Sequence, residues 1–275
     1  MKGPAYDLAG TRLEAISIGG LETCLHFPEW KLALDIGRSP EWVVKRDRVF
    51  FTHAHVDHLA GVAYHAATRS MRGMPVPHYW MPAENVSAFG AMMRAWEPLD
   101  GSELAHVAHG LVPGDEVELE AGRFVRAIRA YHNVPALGYV LGERRQKLCS
   151  EFLDLPADEI VKRRVAGEVL TEPVELIAAA YAGDTLIDAL DREPDLCSAR
   201  LLILECTFVD DRISVAECRS RGHVHLDEIV ERADLFQNEA IALMHFSARY
   251  SPGEIRRALD ERLPSNLRHR VTPLL

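Results

Sequence analysis

His53, His55, Asp57 and His58 fall within six residues, in the run Phe51-Thr52-His53-Ala54-His55-Val56-Asp57-His58-Leu59-Ala60-Gly61, directly after an apolar β-branched stretch. Three imidazoles and a carboxylate at that spacing suit a metal centre. In an extended chain, residues two apart share a face, so His53 and His55 can point together at one ion. If the chain then turns into a helix, Asp57 and His58 diverge from that pair and can hold a second ion beside it. Imidazole nitrogen and carboxylate oxygen are the ligands of catalytic Zn²⁺, whose sites keep a position for water. A histidine-rich surface loop would need neither the strand before nor the helix opening at Leu59-Ala60-Gly61.

Further polar residues recur where apolar runs stop. His132 follows the run ending at Tyr131, Asp184 follows Tyr181-Ala182-Gly183, Glu205 closes the run from Arg200, and His245 closes the run from Ala240. Each stands at the carboxyl end of an expected strand, where loops gather into a rim. Any one of them alone reads as an ordinary core or surface residue; the repetition points to a shared site.

The elements that must position these residues follow from hydrophobic periodicity. Leu13 to Gly19, Thr23 to Phe27, Lys31 to Ile36 and Arg48 to Thr52 read as strands broken by Gly19-Gly20, Pro28 and Gly37. Asp57 to Arg72 reads as helix, Val76 to Met81 as strand and Glu84 to Trp96 as amphipathic helix. Phe124 to Tyr131 and Leu137 to Leu141 read as a β pair, with a helix over Asp158 to Arg164. A strand-then-helix rhythm follows: Leu176 to Tyr181 into Thr185 to Leu190, Arg200 to Cys206 into a helix from Ser214, and Ala240 to His245 into Pro252 to Leu263. Strands apolar on both faces, such as Leu201 to Leu204, imply sheets covered by helices.

The 275 residues carry no linker-like or low-complexity stretch, and one domain spanning 1–275 is expected. Met1 to Gly10 shows no secretory pattern and no apolar run approaches membrane-spanning length, so a cytoplasmic protein without membrane partners is expected. Cys24, Cys149, Cys197, Cys206 and Cys218 are scattered, odd in number and free of CxxC pairs, which argues against a disulfide framework or a thiolate zinc knot. A net charge of −10 speaks against a surface broadly coated for nucleic acid. A polyanionic substrate must be gripped locally.

In these residues the chain resembles the metallo-β-lactamase superfamily and, within it, the ribonuclease Z family in its short, plant-like form. The HxHxDH signature stands as His53, His55, Asp57 and His58. It is followed in order by His132 to Tyr139, Gly183-Asp184-Thr185, Glu205-Cys206-Thr207-Phe208, Gly222-His223-Val224-His225 and His245 to Tyr250. The resemblance implies an α/β (α+β) fold, the αββα sandwich of two packed mixed β-sheets with helices outside. It implies two Zn²⁺ per chain, one on His53, His55 and His132, the other on Asp57, His58 and His245, with Asp184 bridging. Asp57 would also orient the attacking water and take its proton. His223, kept protonated by Glu205, would be the general acid, and Ser247 and Arg249 phosphate contacts. The role of His225 stays open between lining the site and starting a helix. The implied reaction is endonucleolytic removal of the 3′ trailer from a tRNA precursor by a homodimeric, cytoplasmic enzyme.

Two departures bear on that reading. The bacterial type inserts a protruding arm with a Gly-Pro-rich tip after its Gly-Tyr strand. Here only Gly142 to Leu170 stands there, a short possible tRNA-contact insertion at about 142–170, with Arg144, Arg145 and Lys147 as candidate RNA contacts and a second basic cluster at Lys162-Arg163-Arg164. Val140 replaces the arginine common after Gly-Tyr in that type. The competing expectations are a small-molecule hydrolase of the same fold, for a thioester, lactone or phosphodiester, and a non-catalytic binding module. Glu205 and His223 discriminate, since acyl hydrolysis does not require such a pair.

Overall fold

Short β-branched runs separated by Gly, Pro and Asp become two seven-stranded sheets in the computed structural model, which describes residues 4–275. The part of Met1 to Gly10 before Pro4 lies outside the described residues. The first sheet is β1 (Ala5–Leu8), β2 (Thr11–Ile18), β3 (Glu22–Phe27), β4 (Leu32–Ile36), β5 (Arg48–Phe50), β6 (His78–Pro82) and β7 (Val107–Leu111), in that spatial order. It is antiparallel from β1 to β4 and parallel from β4 to β7. The second is β8 (Glu116–Glu118), β9 (Arg123–Arg129), β10 (Leu137–Leu148), β11 (Thr171–Tyr181), β12 (Leu201–Glu205), β13 (Ala240–Met244) and β14 (Val271–Pro273). It is antiparallel up to β11 and parallel from there to β14.

Alternation along the strands builds the layers. Leu201 and Ile203 face a central core shared with Leu34, Phe50 and Tyr139, so the two sheets pack face to face. Leu202 and Leu204 point the other way, onto Leu190, Ile229 and Leu259 from the helices over the second sheet. Val49 and Tyr79 meet Leu59, Val62 and Phe89 from the helices over the first. The expected αββα sandwich is therefore the observed one, a mixed α/β fold.

At Asp35 the alternation breaks. Its backbone adopts φ 51°, the left-handed region that Asp tolerates better than most residues, and the pairing of β3 with β4 shifts register beside it. The slip turns the Asp35 carboxylate into the buried space under the site.

Several boundaries differ from expectation. The helix expected over Asp57 to Arg72 is two pieces, Val56–Leu59 and Val62–Met71. Gly61 marks the break: a Cβ there would lie 2.4 Å from the backbone of Arg38 and Ser39, and its N–H donates to Gly37. Instead of a helix from Thr185 to Leu190 there is a loop leading into Ala189–Arg192. β1, β7, β8 and β14 were not expected; they are short and partly exposed, with too few apolar positions to mark a strand. β10 runs seven residues past Leu141 and β11 begins five before Leu176, so 142–170 is largely the outer half of one hairpin, tipped by the helix Ala157–Val165. All five cysteines are free. Among the described residues no helix is long and apolar enough to cross a membrane.

Candidate metal centre and active site

β5, β9, β11, β12 and β13 deliver their carboxyl ends to one rim, and the loops leaving them bring together side chains distant in the chain. On one side His53 Nε2 lies 3.0 Å from His55 Nδ1, and His55 Nδ1 lies 3.4 Å from His132 Nε2. Asp184 Oδ2 is 3.7 Å from His53 Nε2. On the other side Asp57 Oδ2 is 3.6 Å from His58 Nε2 and 3.4 Å from His245 Nε2. Asp184 Oδ2 stands 3.5 and 3.4 Å from those same two nitrogens, so one carboxylate faces both groups.

These separations fit cations better than hydrogen bonds. Ligands held about 2.1 Å from a tetrahedral ion stand about 3.4 Å apart. Three imidazole nitrogens converging around His55 cannot all be satisfied by one another. His58 Nε2 and Asp184 Oδ1 are buried with no hydrogen-bond partner among the described residues, a costly arrangement unless something else occupies the space between. The residues present therefore fit two cations, with Asp184 shared.

Outward-facing nitrogens set the tautomers. His58 Nδ1 lies 2.9 Å from Asp35 Oδ2, and His132 Nδ1 lies 2.9 Å from the Gly222 carbonyl. Thr52 Oγ1 donates to Asp35 at 2.8 Å and so accepts from His53 Nδ1 at 3.0 Å. Likewise Thr207 Oγ1 donates to Glu205 at 2.5 Å and accepts from His245 Nδ1 at 3.0 Å. With Nδ1 engaged in all four, Nε2 presents its lone pair to the centre. Gly222 is required beside His132: its φ is +80°, and a Cβ would stand 2.7 Å from His132 Nδ1. Asp35, Thr52 and Thr207 were absent from the sequence-derived set. The local signal for Asp35 is a carboxylate set inside an otherwise apolar strand, one residue from its end.

The electrostatics suit ligation. Burial and the neighbouring His58 and His132 push His53 well below its usual range, leaving it neutral. At His58 burial opposes charge, but Asp184 and Asp35 outweigh it and raise its basicity, and the same two carboxylates attract a cation. Burial also opposes ionisation of Asp57, yet the hydrogen bond to His245 and the charges of His58 and His245 bring it down to about 2.

His223 Nδ1 lies 3.0 and 3.2 Å from the two Glu205 oxygens, and its ring packs 5.3 Å from those of His132 and His245. Burial works against its protonation, but the Glu205 charge and hydrogen bond prevail and lift it to about 9. Glu205 is itself locked by the N–H groups of Thr185 and Val224. His225, by contrast, caps the helix Leu226–Glu231: its Nδ1 accepts from Asp227 N, and it is buried.

Ser247 follows His245 on a loop bridged to Gly19, and Arg249 is exposed on the same loop, with no acidic partner among the described residues. Arg144 is different. Glu116, Glu118 and Glu175 hold it at 2.5, 2.5 and 3.0 Å, so a phosphate there competes with three carboxylates. Arg145 pairs with Glu143, while Lys147 is exposed. All three sit on the far half of β10, about 20 Å or more along the strand from the rim at Leu137.

Residues 33–246 match the Beta-lactamase superfamily domain. The chain is 37% identical over 275 residues to tRNase Z TRZ1 of Arabidopsis thaliana, covering 99% of this chain and 98% of that protein. In structure it is similar to the metallo-beta-lactamase fold protein YhfI from Bacillus subtilis, with a TM-score of 0.63 at 14% identity, covering 94% of this chain and 93% of that one. It is also similar to human tRNase Z, short form, with a TM-score of 0.56 at 20% identity, covering 99% and 93%.

Proposed function

Because the chain belongs to the tRNase Z family of the beta-lactamase superfamily, we propose that it is a zinc-dependent endoribonuclease that removes the 3′ trailer from tRNA precursors. The observation that carries this reading is the Glu205–His223 pair standing against the two-cation cluster. His53, His55 and His132 would hold one zinc, Asp57, His58 and His245 the other, and Asp184 would bridge. Bound there, the ions supply an acidified water and neutralise charge on the phosphate.

The chain's own groups do the rest. Asp57, ionised, orients the attacking water and accepts its proton. His223 Nδ1 is committed to Glu205, so Nε2 carries the proton given to the leaving 3′ oxygen. The products are a tRNA ending in a 3′-hydroxyl and a trailer beginning with a 5′-phosphate. Arg249, with Ser247 beside it, is the phosphate contact nearest the rim; Arg145 and Lys147 lie on the hairpin as remote contacts, with Arg144 the weakest of that cluster.

We read the active form as a homodimer. Trp96 and Leu99 on the helix Val86–Asp100 are 52% and 82% exposed, an apolar surface suited to association. Five free cysteines fit a reducing compartment and support a cytoplasmic assignment. The test is incubation of the zinc-loaded protein with a tRNA precursor bearing a 3′ trailer, beside an aryl phosphodiester and a thioester. A single cut at the trailer junction supports the reading; thioester turnover with no RNA cleavage overturns it.

A further inference from the structure

Beside the cation cluster lies a second feature that the mechanism does not use. A cavity of about 270 Å³ opens between the loop carrying His53 and the start of the helix Val86–Asp100. Its floor is apolar and rigid: Phe51, Leu59 and Phe89 are all buried. Met92 stands in its wall, still 41% exposed. Apart from His53, one polar side chain faces it, that of Asn85, half-buried and with no hydrogen bond to another described residue. The remaining wall is His53, Ala54, Met81 and Ala88, and through His53 the cavity adjoins the space where a phosphate on the cations would sit.

Resting on the function proposed above, we propose that this cavity is a subsite for the nucleobase of the first trailer nucleotide. Water in an apolar hollow finds few partners and is displaced with gain by a flat apolar group. Single-stranded RNA offers such groups as unstacked bases, held by aromatic and apolar side chains and hydrogen-bonded at their edges. Methionine sulfur adapts to aromatic faces. The Asn85 amide offers both a donor and an acceptor to a base edge. An aliphatic ligand would leave that amide unpaired.

Geometry also chooses between the two bases flanking the cut. The His223 ring packs on His132 and His245, whereas the cavity is lined by His53 and Ala54 and by neither of those two histidines. The leaving 3′ oxygen, and the tRNA attached to it, belong on the His223 side. The nucleotide that keeps the phosphate is then the one able to place its base in the cavity.

The test uses tRNA precursors carrying 2-aminopurine as the first trailer base, the second trailer base or the last tRNA base, each with a methylphosphonate at the junction so that binding is read without turnover. Fluorescence should be quenched several-fold at the first trailer position only, and the quench should be lost in Ala88→Leu, which narrows the mouth from an exposed helix position, and reduced in Asn85→Ala. In a cleavable precursor an abasic first trailer nucleotide should lower kcat/KM by about tenfold, the scale of one base stack, and Ala88→Leu should cut intact and abasic precursors equally. Quenching at the last tRNA base instead, or equal cleavage of intact and abasic precursors by the unaltered protein, overturns the subsite. Failure to cleave any precursor overturns the functional reading itself, a separate outcome.

Discussion

Glu205 holds His223 at 3.0 Å and, through the hydroxyl of Thr207, also reaches His245, so the proposed acid and a proposed zinc ligand share one carboxylate. The arrangement separates two roles that mutation can test. His223→Ala removes the proton donor and leaves all seven ligands in place, so zinc content should be unchanged while precursor cleavage falls by about 10²-fold or more. Glu205→Gln should lower activity too and shift the alkaline limb of the rate profile to lower pH, because the charge that keeps His223 protonated is gone. Zinc lost in step with activity in His223→Ala would make that residue a ligand.

Asp184 faces both ligand groups, whereas Asp35 reaches the centre only through the far nitrogen of His58 and the Thr52 hydroxyl, its other partners being the Thr52 N–H and the Tyr181 hydroxyl. Asp184→Ala should therefore abolish binding of two zinc equivalents together. Asp35→Asn should keep both but weaken their affinity by about 10- to 100-fold, since the partner that orients a ligand is altered rather than the ligand. Zinc titration against a competing chelator measures both. Two full equivalents with wild-type affinity in Asp184→Ala would end the bridging assignment.

The residues brought together here were legible because each follows a strand whose apolar composition announces it. His53, Asp184, Glu205 and His245 all sit one to three residues past buried apolar runs. Their supports were not legible. A threonine in a strand reads as a β-former, and nothing local shows that the hydroxyls of Thr52 and Thr207 turn toward carboxylates distant in sequence. Asp35 depends on a bulge, a property of paired strands. The outer halves of β10 and β11 were missed because their cohesion is a backbone ladder decorated with ion pairs such as Arg144–Glu175, which leaves no apolar alternation to read.

Arg249 has no acidic partner among the described residues near the rim, while Arg144 is neutralised at the far end of the hairpin. Arg249→Ala should weaken precursor binding and reduce the slope of log affinity against log salt by about one, the signature of one lost phosphate contact. Arg144→Ala should change that slope little and instead loosen the hairpin by exposing Glu116, Glu118 and Glu175 to one another. Filter binding across salt concentrations separates the two, and a larger slope change for Arg144→Ala would reverse this ordering.

His26 and His65 tie stability to pH away from the metal centre. Burial, the chief cause, lowers each from 6.5 to about 4; Arg46 adds to it at His26 and Arg69 at His65. His26 Nδ1 donates to Glu14 while Nε2 accepts from Arg46, an arrangement that needs the neutral ring. His65 accepts the Tyr79 hydroxyl, whose own ionisation burial suppresses. The unfolded chain binds protons near pH 6.5 that the folded chain refuses until about pH 4. Stability from these groups is therefore complete above 6.5 and is lost as pH falls through that window, at about 1.4 kcal/mol per histidine for each tenfold rise in proton concentration. In chelator, so that zinc release does not contribute, the urea midpoint should fall between pH 7 and pH 5. His26→Gln should be less stable at pH 7 yet lose less on acidification, because one titrating group has been removed. A midpoint that declines as steeply in His26→Gln as in the unaltered protein would show that this histidine does not couple folding to protons.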